Sequence, residues 1–289
     1  MKGTLKDLEK IEFDLIIIDG MNLVYKYHYI MKNLSSKDGT PTGVWYGCLN
    51  CVHDLRNRYK KAKIIFAWDS RTSKKKEINP TYKANRVHTE GNGFWDRLDK
   101  LKKLLSLYNV DQCYADGYEA DDIAAKLVEE NKDKRILLMS TDNDWHQMLD
   151  ENVMVYKNGI NWNRSQIEEK YEVNVKKQTL IKSFIGEAKE NVKGIPRIPR
   201  KLVNELAERY DSLYSIFESI EKNGLSKLNK WGKIILDNKE KLLENHKLKE
   251  LIIKGYELQE IEKRDDIKKL CRTLAKYDMS KLCERIKNE

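Results

Sequence analysis

Four short apolar runs in the first 145 residues each end in acids, and no other feature of the chain limits its fold as tightly. Residues 15–19 read LIIID and 64–69 read IIFAWD. Residues 112–116 read QCYAD and run straight into GYEADD, and 137–144 read LLMSTDND. Each run is about four to six residues long with β-branched or aromatic members, the mark of a buried strand. A fifth run, VMVYK at 153–157, carries no such acid. Helical spacing of apolar residues fills the intervals at 43–60, 94–108, 119–131 and 144–150. Strand and helix in alternation predict an α/β core: a parallel sheet with helices on both faces, hence three layers.

In such a sheet the carboxyl ends of the strands face one crevice, where ligands bind. Asp19, Asp69, Glu119, Asp121, Asp122, Asp142 and Asp144 would all meet there. An Asp after a strand can simply cap the next helix, which would account for Asp122 or Asp144 taken singly. A helix N-terminus stabilises negative charge by only ~0.3–1 kcal/mol. Two carboxylates ~4 Å apart repel by ~4 kcal/mol at an effective dielectric near 20. Capping therefore does not explain three acids within four residues, and cations must sit among them. Oxygen donors without nearby His or Cys select hard ions, Mg²⁺ or Mn²⁺. Two such ions ~3.5–4 Å apart would suit phosphodiester hydrolysis. A phosphatase with an aspartyl nucleophile would need a second Asp two residues after Asp19, where this chain has Met21.

The rest of the composition fits a polyanionic partner. The net charge is +9, 35% of residues are charged and 40% are hydrophobic. No apolar run approaches the ~18 residues of a membrane span, and the first twenty residues lack a leader's apolar core. A cytoplasmic protein is expected. Five cysteines without regular spacing argue against a disulfide framework, and the Cys48/Cys51 pair is expected in the buried face of a helix.

Residues 71–86 hold six bases against one acid in an over-long connection, with Tyr82 among them, which suits contact with a single strand. Past about residue 163 the strand patterns stop and short helical ones follow, so residues 1–160 are expected to form the α/β core and 161–289 an all-helical region.

IIIDGMNLVYK, FAWDS, YKANR, EADDIAAKLV and STDNDWHQML, in that order over roughly residues 14–205, resemble the 5′-nuclease or flap endonuclease family. That family includes bacteriophage 5′–3′ exonucleases and the 5′-nuclease domain of bacterial DNA polymerase I. The resemblance implies a PIN-like nuclease core with a helical arch at about 70–98. A first metal group would comprise Asp19, Asp69, Glu119, Asp121 and Asp122, and a second would include Asp142 and Asp144. Lys83, Arg86 and Asp121 would be catalytic, with Lys74, Lys75, Lys76, Tyr82, Lys83 and Arg86 contacting DNA at the arch. The implied activity is structure-specific hydrolysis, by two metal ions, of DNA flaps or RNA primers in replication. Partners would be DNA with a 5′ single-strand/duplex junction or an RNA–DNA hybrid, and replication proteins; the chain would act as a monomer, and a phage source would fit.

Two stretches depart from the family pattern. Where GDxxDN is usual, residues 186–191 read GEAKEN, so Glu187 and Glu190 would complete the second metal group. Where a glycine-rich helix-hairpin-helix holds duplex phosphates and a monovalent cation, at about 176–210, this chain has Arg197 and Pro199. Proline offers no N–H, so side chains (Lys193, Arg197, Arg200 and Lys201) would take over duplex contact. Two other functions are compatible with these residues: a catalytically silent junction binder of the same fold, and a PIN-like ribonuclease.

Overall fold

The computed structural model describes residues 11–86, 91–172, 174–223 and 230–288. Its centre is a seven-stranded sheet in the order β6-β5-β4-β1-β2-β3-β9. The strands are β1 (Leu15–Asp19), β2 (Lys63–Ala67), β3 (Asp111–Tyr114), β4 (Ile136–Met139), β5 (Val153–Lys157), β6 (Ile160–Trp162) and β9 (Gln259–Glu260). From β5 to β3 every pairing is parallel, and β6 and β9 add antiparallel edges.

Alternation along β1 explains the layers. Ile16 and Ile18 enter one apolar cluster, and Leu15 and Ile17 enter the other. The first cluster lies under α1 (Gly20–Ile30), α2 (Gly43–Arg58) and α4 (Phe94–Leu107), the second under α5 (Ala120–Glu130). All five residues of β1 are buried, as a strand covered on both faces requires. Cys48 is buried in α2, as the sequence reading expects, whereas Cys51 is only half-buried.

A third cluster holds the helices that follow: α7 (Gln178–Ile185), α8 (Arg200–Arg209), α9 (Leu213–Asn223), α10 (Lys230–Asp237) and α11 (Lys239–Lys249). α6 (Arg164–Tyr171) packs by Ile167 against the second cluster. Between α7 and α8 runs a two-stranded ribbon, β7 (Gly186–Glu187) with β8 (Val192–Lys193).

The all-helical expectation for residues 161–289 is corrected in two places. β7 and β8 form the ribbon, and β9 returns to the main sheet to pair with β3. Two-residue strands leave no periodicity to read. After β9, α12 (Ile267–Lys276) packs on α4 and α13 (Ser280–Lys287) on α2, so the boundary at residue 160 does not divide the chain cleanly. Cys271 and Cys283 are paired across α12 and α13, their Cα atoms 5.1 Å apart, against the expectation of no disulfide. Residues 143–148 form a 3₁₀ turn where an α-helix was expected. The arch region contains a short helix, α3 (Lys75–Ile78), and the rest of that expectation at 87–90 lies outside the described residues. No described helix is long and apolar enough to cross a membrane.

Candidate active site

β1 occupies the switch point of the sheet: the chain proceeds to β2 and β3 on one side and to β4 and β5 on the other. The crevice expected there is lined by acids from successive strand ends. Asp19 ends β1 and caps α1, accepting from the Asn22 N–H at 2.9 Å and from the Ser140 hydroxyl at 2.8 Å. Asn22 also donates to the Thr141 hydroxyl at 2.7 Å, tying the end of β1 to the end of β4. Asp69, past β2, accepts from the Ala120 N–H at 2.9 Å and so fixes the start of α5. Asp142 caps the 3₁₀ turn by accepting from the Asp144 N–H at 2.9 Å.

Charge separates these acids into two kinds. Asp19 is buried, and burial together with the neighbouring Asp69 carboxylate pushes its pKa up to about 7. Asp69 and Asp142 lie open to the crevice, and among the described residues neither has an ion pair. Asp121 is half-buried, and burial raises it well above the usual carboxylate range despite nearby Lys75. Asp19, Asp69 and Asp142 thus have no ion pair among the described residues, whereas Asp121 has Lys75 at 3.9 Å.

The other acids are already matched by lysine. Lys75 is only 3% exposed, and its Nζ stands 3.5 Å from Glu119, 3.9 Å from Asp121 and 3.8 Å from Asp122. Lys83 Nζ reaches Glu119 at 2.6 Å, and the Tyr82 hydroxyl donates to Glu119 at 3.1 Å. Burial alone would raise Glu119, but Lys75 and Lys83 outweigh it and hold the carboxyl down to about 2. Asp122 accepts from the Glu119 N–H at 3.2 Å and the Ile252 N–H at 2.9 Å, so backbone donors take both its oxygens. It braces α5 against the 250s from a buried position.

Of the acids expected in the second group, Asp144, Glu187 and Glu190 lie together, and Asp142 is not among them. Asp144, Glu187 and Glu190 bring ligand atoms within 4.8 Å of one another, which no other three acidic, His or Cys side chains do among the described residues. Lys249 Nζ stands among them, 3.0 Å from Asp144 and 2.6 Å from Glu187 and in contact with Glu190. Lys182 adds a contact to Asp144 and one of 2.9 Å to Glu187. Burial would raise Asp144 and Glu187, but these ammoniums hold both below their ordinary values. Neither lysine stands out in the sequence as part of this cluster.

Two clefts flank the acids. One, of about 500 Å³, is lined by Asp142, Lys182, Glu187, Arg86 and Arg200. The other, of about 410 Å³, is lined by Asp69, Lys76, Lys83, Arg86 and Trp95. Arg86 borders both and reaches Glu190 at 3.7 Å. An acidic floor between basic walls suits a phosphodiester held over bound cations.

Of the residues expected at DNA, the structure withdraws two. Lys75 is buried under the carboxylates, and Tyr82 is 1% exposed, packed against Val192 and Leu248. Neither can face a strand. Lys74 is exposed, with its ammonium 3.1 Å from the Tyr118 hydroxyl. Lys76, Lys193, Arg197, Arg200 and Lys201 are exposed and free to meet phosphate.

The hairpin explains its own departures. A Cβ on Gly194 would lie 2.2 Å from the Ile185 carbonyl carbon, so only glycine fits there. Arg197 adopts φ +57°, the left-handed conformation glycine takes without strain. Arg197→Gly is therefore expected to stabilise the fold by about 1 kcal/mol in thermal melts. The same variant should lower the salt slope of duplex binding by about one.

The family model for the 5′–3′ exonuclease N-terminal resolvase-like domain matches residues 14–175. The chain belongs to this 5′-nuclease family. A 5′–3′ exonuclease of Buchnera aphidicola (subspecies Schizaphis graminum) is 29% identical over 215 residues, covering 72% of this chain and 74% of that one. The bacteriophage T5 D15 protein, co-crystallised with metal ions, superposes with a TM-score of 0.69 at 20% identity, over 95% of this chain and 98% of that one. A variant T5 D15 flap endonuclease in complex with DNA and metal ions gives 0.69 at 18%, with the same coverage. These likenesses show the fold.

Proposed function

We propose that the chain is a divalent-metal-dependent 5′ nuclease that hydrolyses phosphodiesters at a single-strand/duplex junction of DNA. The observation that carries this reading is the trio Asp19, Asp69 and Asp142, the first buried and the other two exposed, at the ends of adjacent strands and without ion pairs among the described residues. Their oxygen-only donor set is of the kind that holds Mg²⁺ or Mn²⁺, although their ligand atoms do not lie within 4.8 Å of one another as those of Asp144, Glu187 and Glu190 do. A divalent ion held there would supply charge stabilisation and an acidified water.

The chain's own residues do the rest. Arg86, which borders both clefts, and Lys83, which lines one of them, are placed to hold the scissile phosphate. Glu119 fixes Lys83 by its 2.6 Å contact, which keeps the ammonium from wandering into solvent. Arg200, on the far wall, and Lys193 and Lys201 on the hairpin supply duplex phosphate contact. The natural substrate in this reading is a DNA flap or an RNA primer removed during replication; the flap endonuclease that the fold resembles was crystallised with DNA and metal ions.

A 5′-labelled flap incubated with Mg²⁺, beside an EDTA control, tests the reading. Metal-dependent product near the junction is expected. Tight, salt-sensitive binding without product in Mg²⁺ or Mn²⁺ would overturn it in favour of a silent junction binder, a reading favoured by the lysine already among Asp144, Glu187 and Glu190.

A further inference from the structure

We propose that Lys249 is a built-in replacement for the second divalent ion, so that the chain takes up one exchangeable ion rather than two. The inference rests on the metal-binding reading of Asp19, Asp69 and Asp142 given above, and concerns the neighbouring carboxylate group.

The geometry is that of a filled site. Asp144, Glu187 and Glu190 have the mutual spacing of metal ligands. Each of the three directs one oxygen at the same Nζ, matching the three N–H bonds of an ammonium. The Lys249 side chain is 2% exposed, so it is built into the cluster and does not visit it from solvent. It leaves α11 at the last residue of that helix, where its cation also meets the negative end of the helix dipole. Adjacent Leu248 packs with Tyr82 and Val192, which fixes the helix end on both sides of the site.

Charge gives the same answer as shape. Lys249 faces all three carboxylates and Lys182 faces Asp144 and Glu187, while Glu190 also meets Lys83 at 3.5 Å and Arg86 at 3.7 Å. The cluster is thereby neutralised. A divalent ion could enter only by standing against these ammoniums or by expelling Lys249 from a buried position. Both routes are unfavourable, because like charges repel strongly where water is excluded. The two glutamates belong to this arrangement: their extra methylene lets Glu187 and Glu190 close around an amine carried on another helix. Shortening either to Asp would not by itself restore a metal site while Lys249 remains.

Direct counting of bound Mn²⁺ on the full chain tests this, using the electron paramagnetic resonance signal of the free ion at neutral pH without DNA. Wild type is expected to bind one Mn²⁺, and Lys249→Met to bind one more than wild type. In EDTA the variant should melt lower than wild type, and Mn²⁺ should recover most of that loss. Equal stoichiometry in the two proteins would overturn the proposal. A second variant keeps the test decisive if Lys249→Met does not fold. Glu190→Gln, with Lys249 in place, should leave the Mn²⁺ count unchanged, whereas loss of one ion would show that the metal displaces the lysine. Failure of the nuclease reading is separable: it appears as a wild type that neither binds Mn²⁺ nor cleaves, while the increment between wild type and Lys249→Met still decides the role of Lys249.

Discussion

Replacing Asp69 with asparagine is expected to stop hydrolysis while leaving the chain folded and able to hold DNA. The change keeps a carbonyl oxygen, so the Ala120 N–H retains its 2.9 Å acceptor and α5 keeps its start. What disappears is one negative charge from the trio. A bound cation supplies several kcal/mol of charge stabilisation, so cleavage should fall by about 10³-fold or more. DNA affinity rests on the basic walls and should hardly move. Single-turnover cleavage of a labelled flap, with fluorescence anisotropy for binding, reads both quantities; undiminished cleavage would remove Asp69 from the metal site.

The same substitution has a signature in the metal-free protein. Asp19 titrates near 7 because of burial and the Asp69 charge, against 3.8 for an ordinary aspartate. A carboxyl raised in the folded state binds its proton more tightly there than in the unfolded chain, so metal-free stability rises as pH falls from 7 toward 4. Asp69→Asn removes part of the cause and should flatten that rise, visible in melts run in EDTA across this range.

Lys75→Met is expected to produce the largest loss of stability. It leaves Glu119, Asp121 and Asp122 facing one another without the buried ammonium that lies between 3.5 and 3.9 Å from each. Removing one partner of a buried charge network costs ~3–5 kcal/mol. In a chain of this length that lowers the melting temperature by roughly 10 °C. The sign with pH follows from Glu119, whose carboxyl is held at about 2 by Lys75 and Lys83. Its stabilising contribution is complete above the ordinary carboxylate range and fades as pH falls through about 2, so the deficit of the variant should be greatest near neutrality and shrink in acid. An unchanged melting temperature with weakened DNA binding would return Lys75 to the surface role that its sequence context suggests.

Lys75 also shows where sequence reading reaches its limit. It sits in a run of three lysines whose outer members are exposed, and nothing in the run marks the middle one as buried. Its burial follows from tertiary placement of α3 over α5, which no local pattern encodes. Tyr82 was misplaced for the same reason: an aromatic beside bases suits stacking on a nucleotide until Val192 and Leu248 close over it. The acids, in contrast, were legible because each ends an apolar run, and parallel strands bring their carboxyl ends to one side by topology alone. α1 escaped notice because it begins directly after Asp19 with no turn, and its aromatic residues show little helical contrast. Glu187 and Glu190 were found through the family resemblance, but their partner Lys249 was not. It arrives from a helix rich in lysine, where one more base carries no signal.

The late position of Lys249 has a consequence for how the chain is made. The acids of the crevice are all in place by residue 190, yet the cation that satisfies three of them is synthesised nearly sixty residues later. β9 then ties the following segment to β3. Until that stretch is made, Asp144 and Glu187 have Lys182 and Glu190 has Lys83 and Arg86, but the ammonium that touches all three is missing. A growing chain therefore passes through an interval in which this acid cluster lacks its central ammonium, and the last contact of the cluster comes from a late-made helix.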